Sequence, residues 1–183
     1  MEYLATYGWA LLVIVIAISV LLYIVPLSPP QVCQLDNFAL SCSGQRFLVR
    51  DPSTDILNLV YADMTNNRPQ AIRIVGMACL SQNSPAPAIE KNNFKLTAFQ
   101  VPGKGADQPL ILAHGETFNT AHVPNNRFKL ECFSMDKDGV LKDLTLRPGS
   151  TFSGTIYVLY NFADEPANAP ASLSSGNFVS SVQ

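Results

Sequence analysis

The chain has 183 residues, 48% of them hydrophobic and 14% charged, with a net charge of -2. That length allows one ordinary domain and an appended segment. A charge so small and evenly spread argues against nucleic acid as a main partner. Low charge, with 13 prolines and 10 glycines, suits a surface largely covered by copies of the same protein.

The first element dominates the chain. From Tyr3 to Leu35 no residue is charged, and Leu4–Val25 is apolar except for Thr6, Tyr7, Gly8, Trp9, Ser19 and Tyr23. As a helix that run spans roughly 33 Å, enough for a bilayer core. Pro26, Pro29 and Pro30 should stop it, because proline lacks the amide donor and clashes with the preceding turn. A helix apolar on all faces must be buried all round, in lipid or in a bundle. Val13, Ile14, Val15, Ile16, Ile18 and Val20 are β-branched and poor helix formers in water, so those surroundings must hold it helical. Ser19 can return its hydroxyl to the carbonyl one turn back. Glu2, at the edge of the run, reads either as an interfacial helix cap or as a pairing group used in assembly.

A secretory signal peptide fits this segment badly. The apolar run is too long, no basic stretch opens it, and no small-x-small cleavage site follows. A membrane anchor is the stronger alternative, yet no Lys or Arg precedes Arg46 to set its orientation. A short basic leader upstream of Met1, removed by processing, is therefore expected.

The string Glu2-Tyr3-Leu4-Ala5-Thr6-Tyr7-Gly8-Trp9-Ala10-Leu11-Leu12-Val13 resembles the opening of archaeal type IV pilins, many of which begin E-Y-L-x-x-Y-G-W-A. The likeness covers about 25 residues. It implies a precursor in the cell membrane, a prepilin peptidase and pilus assembly machinery as partners, and an extracellular helical homopolymer. Helices would stack in the core, with heads outside for attachment to an unknown surface or cell ligand. The assembly residues it implies are Glu2, Tyr3, Leu4, Tyr7, Gly8, Trp9, Leu12, Ile16 and Val20. It favours a non-rotating pilus over an archaellum. A single-pass membrane-anchored binding protein is the alternative reading.

Four cysteines, Cys33, Cys42, Cys79 and Cys132, with no CxxC pair, favour disulfides over zinc. Disulfides point to export or to a hyperthermophile interior. Three pairings are possible. Cys33–Cys42 with Cys79–Cys132 is the expected one, since the first two are near neighbours in sequence.

After Pro30 the pattern turns to period two. Phe128–Cys132, Phe94–Thr97, Ile72–Ile74 and Thr155–Tyr160 read as strands, with weaker candidates at Gln45–Arg50, Ile56–Ala62 and Thr117–His122. Turn signals at 102–105, 124–126, Asp138-Gly139 and Arg147-Pro148-Gly149 separate them. The fold class expected is α+β: one long N-terminal hydrophobic helix, then an antiparallel β-sandwich head. A Cys79–Cys132 bridge would then cross two sheets, as in an immunoglobulin-like sandwich. The core tryptophan of that fold is missing, because Trp9 is the only one. The organisation expected is a helix over 1–26, a Pro-rich hinge over 27–44, a head over 45–163 and an Ala/Pro/Ser-rich segment over 164–183. The last reads by composition as a tail or an O-glycosylated stalk. Phe178 and Val179 are expected to dock it on a sheet edge or a neighbouring subunit. No Asn-x-Ser/Thr sequon occurs.

Chemistry is sparse. His114, His122, Cys132 and Met135 are blue-copper residue types, but only Phe133 and Ser134 separate the cysteine from the methionine, where a histidine is needed. Asp136-Lys137-Asp138-Gly139 resembles half a calcium loop without its later ligands, and a hairpin turn explains it better. No G-x-S-x-G, H-E-x-x-H or P-loop frame occurs. An enzyme, a metal and a cofactor are therefore not expected.

Overall fold

The computed structural model describes residues 2–24, 33–36, 39–43, 47–50, 55–59, 63–87, 110–119 and 130–183. The chain divides into two compact units, Met1–Pro30 and Gln31–Gln183.

The first unit holds α1 (Glu2–Ile24), the one helix among the described residues. Its side chains are described over Tyr7–Val20, about 21 Å of helix, against the roughly 30 Å of a bilayer core. Among the described residues no helix is long and apolar enough to cross a membrane. The expected long membrane-spanning helix is corrected accordingly. Ser19 Oγ donates to Val15 O at 2.8 Å, which satisfies the hydroxyl inside the helix. The proline stop at residues 26–30 lies outside the described residues.

The second unit is all β among its described residues. Its strands are β1 (Cys33–Leu35), β2 (Leu40–Ser43), β3 (Phe47–Arg50), β4 (Leu57–Leu59), β5 (Asp63–Asn66) and β6 (Ile72–Ser81). They continue as β7 (Leu110–Leu112), β8 (Thr117–Asn119), β9 (Leu130–Met135), β10 (Leu141–Asp143), β11 (Thr151–Phe162) and β12 (Ser172–Val182). The candidates at Ile72, Phe128, Thr155, Gln45, Ile56 and Thr117 fall on β6, β9, β11, β3, β4 and β8. Those at Phe94–Thr97 and the turns at 102–105 and 124–126 lie outside the described residues.

The antiparallel sandwich is also corrected. One sheet runs β9-β4-β3-β12-β11-β6 and closes on itself where β6 pairs with β9, a six-stranded barrel. Two of its pairings are parallel: β12 with β3 (Ser181↔Phe47, Val182↔Leu48) and β6 with β9 (Cys79↔Cys132, Leu80↔Phe133). The others are antiparallel. The longest, β11–β12, registers Thr151↔Ser181 through Tyr160↔Ser172. Three strands extend the sheet: β10 along β9, β7 along β6, and β1 along β12. A separate three-stranded sheet runs β2-β5-β8. A sandwich and a small barrel share the same in–out alternation, so strand patterning alone does not separate them.

Both disulfides join the pairs expected: Cys33–Cys42 and Cys79–Cys132. The first ties β1 of the barrel sheet to β2 of the small sheet. The second does not cross two sheets. It links directly registered neighbours, with Cα atoms 4.5 Å apart, at the seam that closes the barrel. In the loop-entropy picture, closing this 53-residue separation stabilises by about 4 kcal/mol.

The barrel core takes alternate residues from each strand. Ile72, Ile74 and Cys79 of β6 face Phe152, Ile156, Val158 and Tyr160 of β11, with Leu48, Leu57, Leu59, Leu130 and Phe178. A second apolar cluster, Ala78, Leu80, Tyr157 and Leu159, lies on the other face of β6 and β11, backed by Phe133 and Met135. Gly154 lies on the buried face of β11. A Cβ there would lie 2.8 Å from the Leu80 carbonyl oxygen and would strike the Phe152 ring, which packs tilted at 52° against Phe178 with ring centroids 5.6 Å apart. Gly154→Ala should therefore destabilise the barrel by about 1–3 kcal/mol, read as a lower thermal midpoint.

Two boundaries differ from those expected. Cys33–Leu35 and Leu40–Ser43, placed in the hinge, form β1 and β2. Residues 172–182, placed in the C-terminal segment, form β12, a strand flanked by β11 on one edge and by β1 and β3 on the other. Its buried face reads Ser174, Gly176, Phe178, Ser180, Val182. Phe178 packs in the core rather than on an edge. Near the small sheet, Asn66 is fully buried. Its Nδ2 donates to Gln70 O and Leu112 O, each at 3.0 Å, and its Oδ1 accepts from the Arg68 amide at 2.9 Å.

Candidate functional site

The exposed apolar surface of α1 is the feature that calls for a function. Tyr7 is 72% exposed and Trp9 67%, and Leu11, Leu12, Val13, Ile14, Val15, Ile16, Ile18 and Val20 are exposed as well. These positions fall on every face of a 3.6-residue helix, so no choice of one buried side would hide them. Monomeric proteins rarely expose contiguous apolar patches beyond a few hundred Å². Of the assembly residues expected, Tyr7, Gly8, Trp9, Leu12, Ile16 and Val20 lie on this described surface. Among the described residues, and apart from its own helix backbone, nothing lies within 4 Å of a Cβ built on Gly8. The side chains of Glu2, Tyr3 and Leu4 fall outside the described residues, so the two readings of Glu2 stand as they were.

The second unit offers little chemistry. Cys132 is bridged and cannot be a thiolate copper ligand. His114 donates through Nδ1 to Arg68 O at 2.9 Å, a structural tie between loops. His122 lies outside the described residues. Among the described residues no three His, Cys, Asp or Glu side chains converge on a point that could hold a metal.

The Asp136–Val140 segment is the turn of the β9–β10 hairpin. The Asp136 amide donates to Val140 O and the Gly139 amide to Asp136 O, each at 3.1 Å, with Gly139 at φ 80°. That left-handed backbone is the reason glycine stands there. Asp136 Oδ1 accepts from the amides of Val140 and Asp138, and Lys142 Nζ lies 3.3 Å from Oδ2. These donors, the Val140 amide first, hold its carboxyl below the usual carboxylate range. The carboxylate is thus engaged in the turn itself. Burial pushes the Tyr157 hydroxyl up, a Thr155 hydrogen bond opposes this, and the Asp36 charge adds to it.

Two structural residues carry no signal in the sequence. Asn66 looks like any polar strand residue. Arg73 looks like a solvent-facing strand cation, yet its guanidinium donates to Ala163 O at 2.8 Å and Glu165 O at 3.1 Å, pinning the β11–β12 connection.

Compared with models of known protein families, with curated proteins and with solved structures, the chain matches none.

Proposed function

We propose that this protein is the structural subunit of an extracellular filament of the archaeal type IV pilin kind, a pilus rather than an archaellum, used for surface attachment. One observation carries the reading: an apolar helix, exposed on all sides, whose opening residues spell E-Y-L-A-T-Y-G-W-A. Self-association removes that surface from water at about 25 cal/mol per Å² of apolar area. The partner is the same helix of other copies, and the β unit is the head. Two disulfides suit a head that works in an oxidising medium. The head is a binding and structural element, with no catalytic role.

Electron microscopy of material sheared from the cell surface tests this. Antibodies raised against the β unit should decorate thin filaments along their length. Recovery of the protein only as detergent-extracted monomers, with no labelled filaments, would instead favour a membrane-anchored binding protein.

A further inference from the structure

The barrel is two three-stranded antiparallel halves joined edge to edge. One half is β3-β4-β9, the other β6-β11-β12. The two joints are the parallel pairings, and each registers only two residue pairs. Their reinforcement differs. At the β3–β12 joint the backbone continues the contact: the Gln183 amide donates to Leu48 O at 2.8 Å. β1 extends the β3 edge of β12 through three further registered pairs. At the β6–β9 joint the Met135 amide donates to Ser84 Oγ at 2.8 Å, and the Cys79–Cys132 bridge spans the registered pair itself. Both cysteines are buried, at 1% and 0% exposure.

We propose that the Cys79–Cys132 bridge is a latch that keeps the barrel closed, and that breaking it opens the β6–β9 seam while the β6-β11-β12 half stays folded. This goes beyond the filament reading and does not depend on it. The chemistry is thiol–disulfide exchange. A dithiol reductant gives two electrons and two protons to the S–S bond, Cys79 and Cys132 become thiols, and the reductant closes to its own disulfide. Because the sulfurs are buried, attack follows a transient opening of the seam. The opened sheet runs β9-β4-β3-β12-β11-β6, with facing edges of β9 and β6 newly free. Free edges of that kind template pairing with another chain.

The asymmetry of the halves supports local opening. β11 registers with nine residues of β6 and ten of β12, so that half keeps its ladders when the seam parts. β9 keeps β4 and β10, each through three registered pairs.

Hydrogen exchange on the full chain in mild detergent tests the latch. In the Cys79→Ser/Cys132→Ser variant, amides of Cys132 (as Ser), Phe133 and Leu80 should exchange about tenfold faster or more, with β11–β12 amides unchanged. Cys33→Ser/Cys42→Ser should leave the seam amides as they are. Unchanged seam exchange in the first variant overturns the proposal. If that variant fails to fold, the wild-type chain is reduced with dithiothreitol under native conditions and thiol-blocked before the same measurement. Loss of protection in β11–β12 together with the seam in that sample also overturns it, since the bridge would then hold the whole fold.

Discussion

Val15→Asp is expected to abolish filament assembly and leave the β unit folded. Val15 lies in the middle of the described stretch of α1, between Ile14 and Ile16, and its side chain is exposed in the isolated chain. In solution an aspartate there costs little. In a bundle of such helices it meets mostly Val, Ile, Leu and Ala side chains, and the hydroxyl one turn on, Ser19, is already engaged by the residue 15 carbonyl. A carboxylate moved from water into that setting without a partner costs several kcal/mol, or stays protonated at a comparable cost. Every subunit in a helical array repeats the loss, so the effect on polymer yield is far larger than on one contact. Val15→Ile, which adds one methylene, should assemble. Lys137→Ala, at the exposed tip of the β9–β10 hairpin, should also assemble, because such surface changes rarely exceed about 0.5 kcal/mol. The measurement is filament yield by electron microscopy, with the thermal midpoint of the β unit as the folding control. Normal Val15→Asp filaments would remove α1 from the assembly role and with it the proposed function.

What the sequence makes legible follows physical period and breaks down where period gives no information. β6, β9 and β11 announce themselves because Ile72-Arg73-Ile74, Leu130-Glu131-Cys132 and the run at Thr155–Tyr160 alternate or stay apolar long enough to exceed chance. β12 is invisible for the opposite reason. Its buried face carries Ser174, Gly176 and Ser180, small residues that fit the confined barrel interior and break the hydrophobic period. A Ser/Ala-rich composition then reads as a tail. β1 and β2 are short, and they sit beside prolines that suggest a hinge. Barrel closure itself is written in two residue pairs, Cys79↔Cys132 and Leu80↔Phe133, 53 positions apart. Alternation says that a strand has one wet face and one dry one. It does not say whether the dry face meets a second sheet or its own sheet curled round. A bridge between cysteines 53 residues apart marks that contact, but it fits two facing sheets as well as two neighbouring strands of one sheet. The candidate assembly surface is the reverse case. An uncharged run apolar on all sides needs no tertiary information to be recognised, since no arrangement of its own faces can hide it.

Asn66→Ala should lower the stability of the β unit by about 2–4 kcal/mol, the largest single effect expected outside α1. Asn66 ends β5 and is wholly buried, yet its side chain is well satisfied, with two bonds donated and one accepted. Those bonds reach Leu112 O at the end of β7 in the barrel sheet, Gln70 O in the following loop and the Arg68 amide. The backbone of the same residue accepts from the Gly115 amide at 2.8 Å and donates to Glu116 O at 3.0 Å. One residue thus ties the small sheet, the β7–β8 turn and the barrel sheet. Alanine removes all three side-chain bonds at once and leaves Leu112 O buried without its donor, at about 1–3 kcal/mol, while the half-buried Arg68 amide and the exposed Gln70 carbonyl cost less. Asn66→Asp should do no better. The acceptor toward the Arg68 amide survives, but a carboxylate oxygen would face two carbonyl oxygens in place of a donor. Asn67→Ala is the control. Asn67 is itself exposed, its side chain accepts one bond among the described residues, from Ser41 Oγ at 3.4 Å, and its loss should stay within about 0.5 kcal/mol. Against a total of roughly 5–15 kcal/mol for an ordinary domain, the Asn66 variants should melt on the order of 10 °C lower by near-ultraviolet circular dichroism. Equal midpoints for the Asn66 and Asn67 variants would show that the buried amide network contributes nothing beyond its surface neighbour.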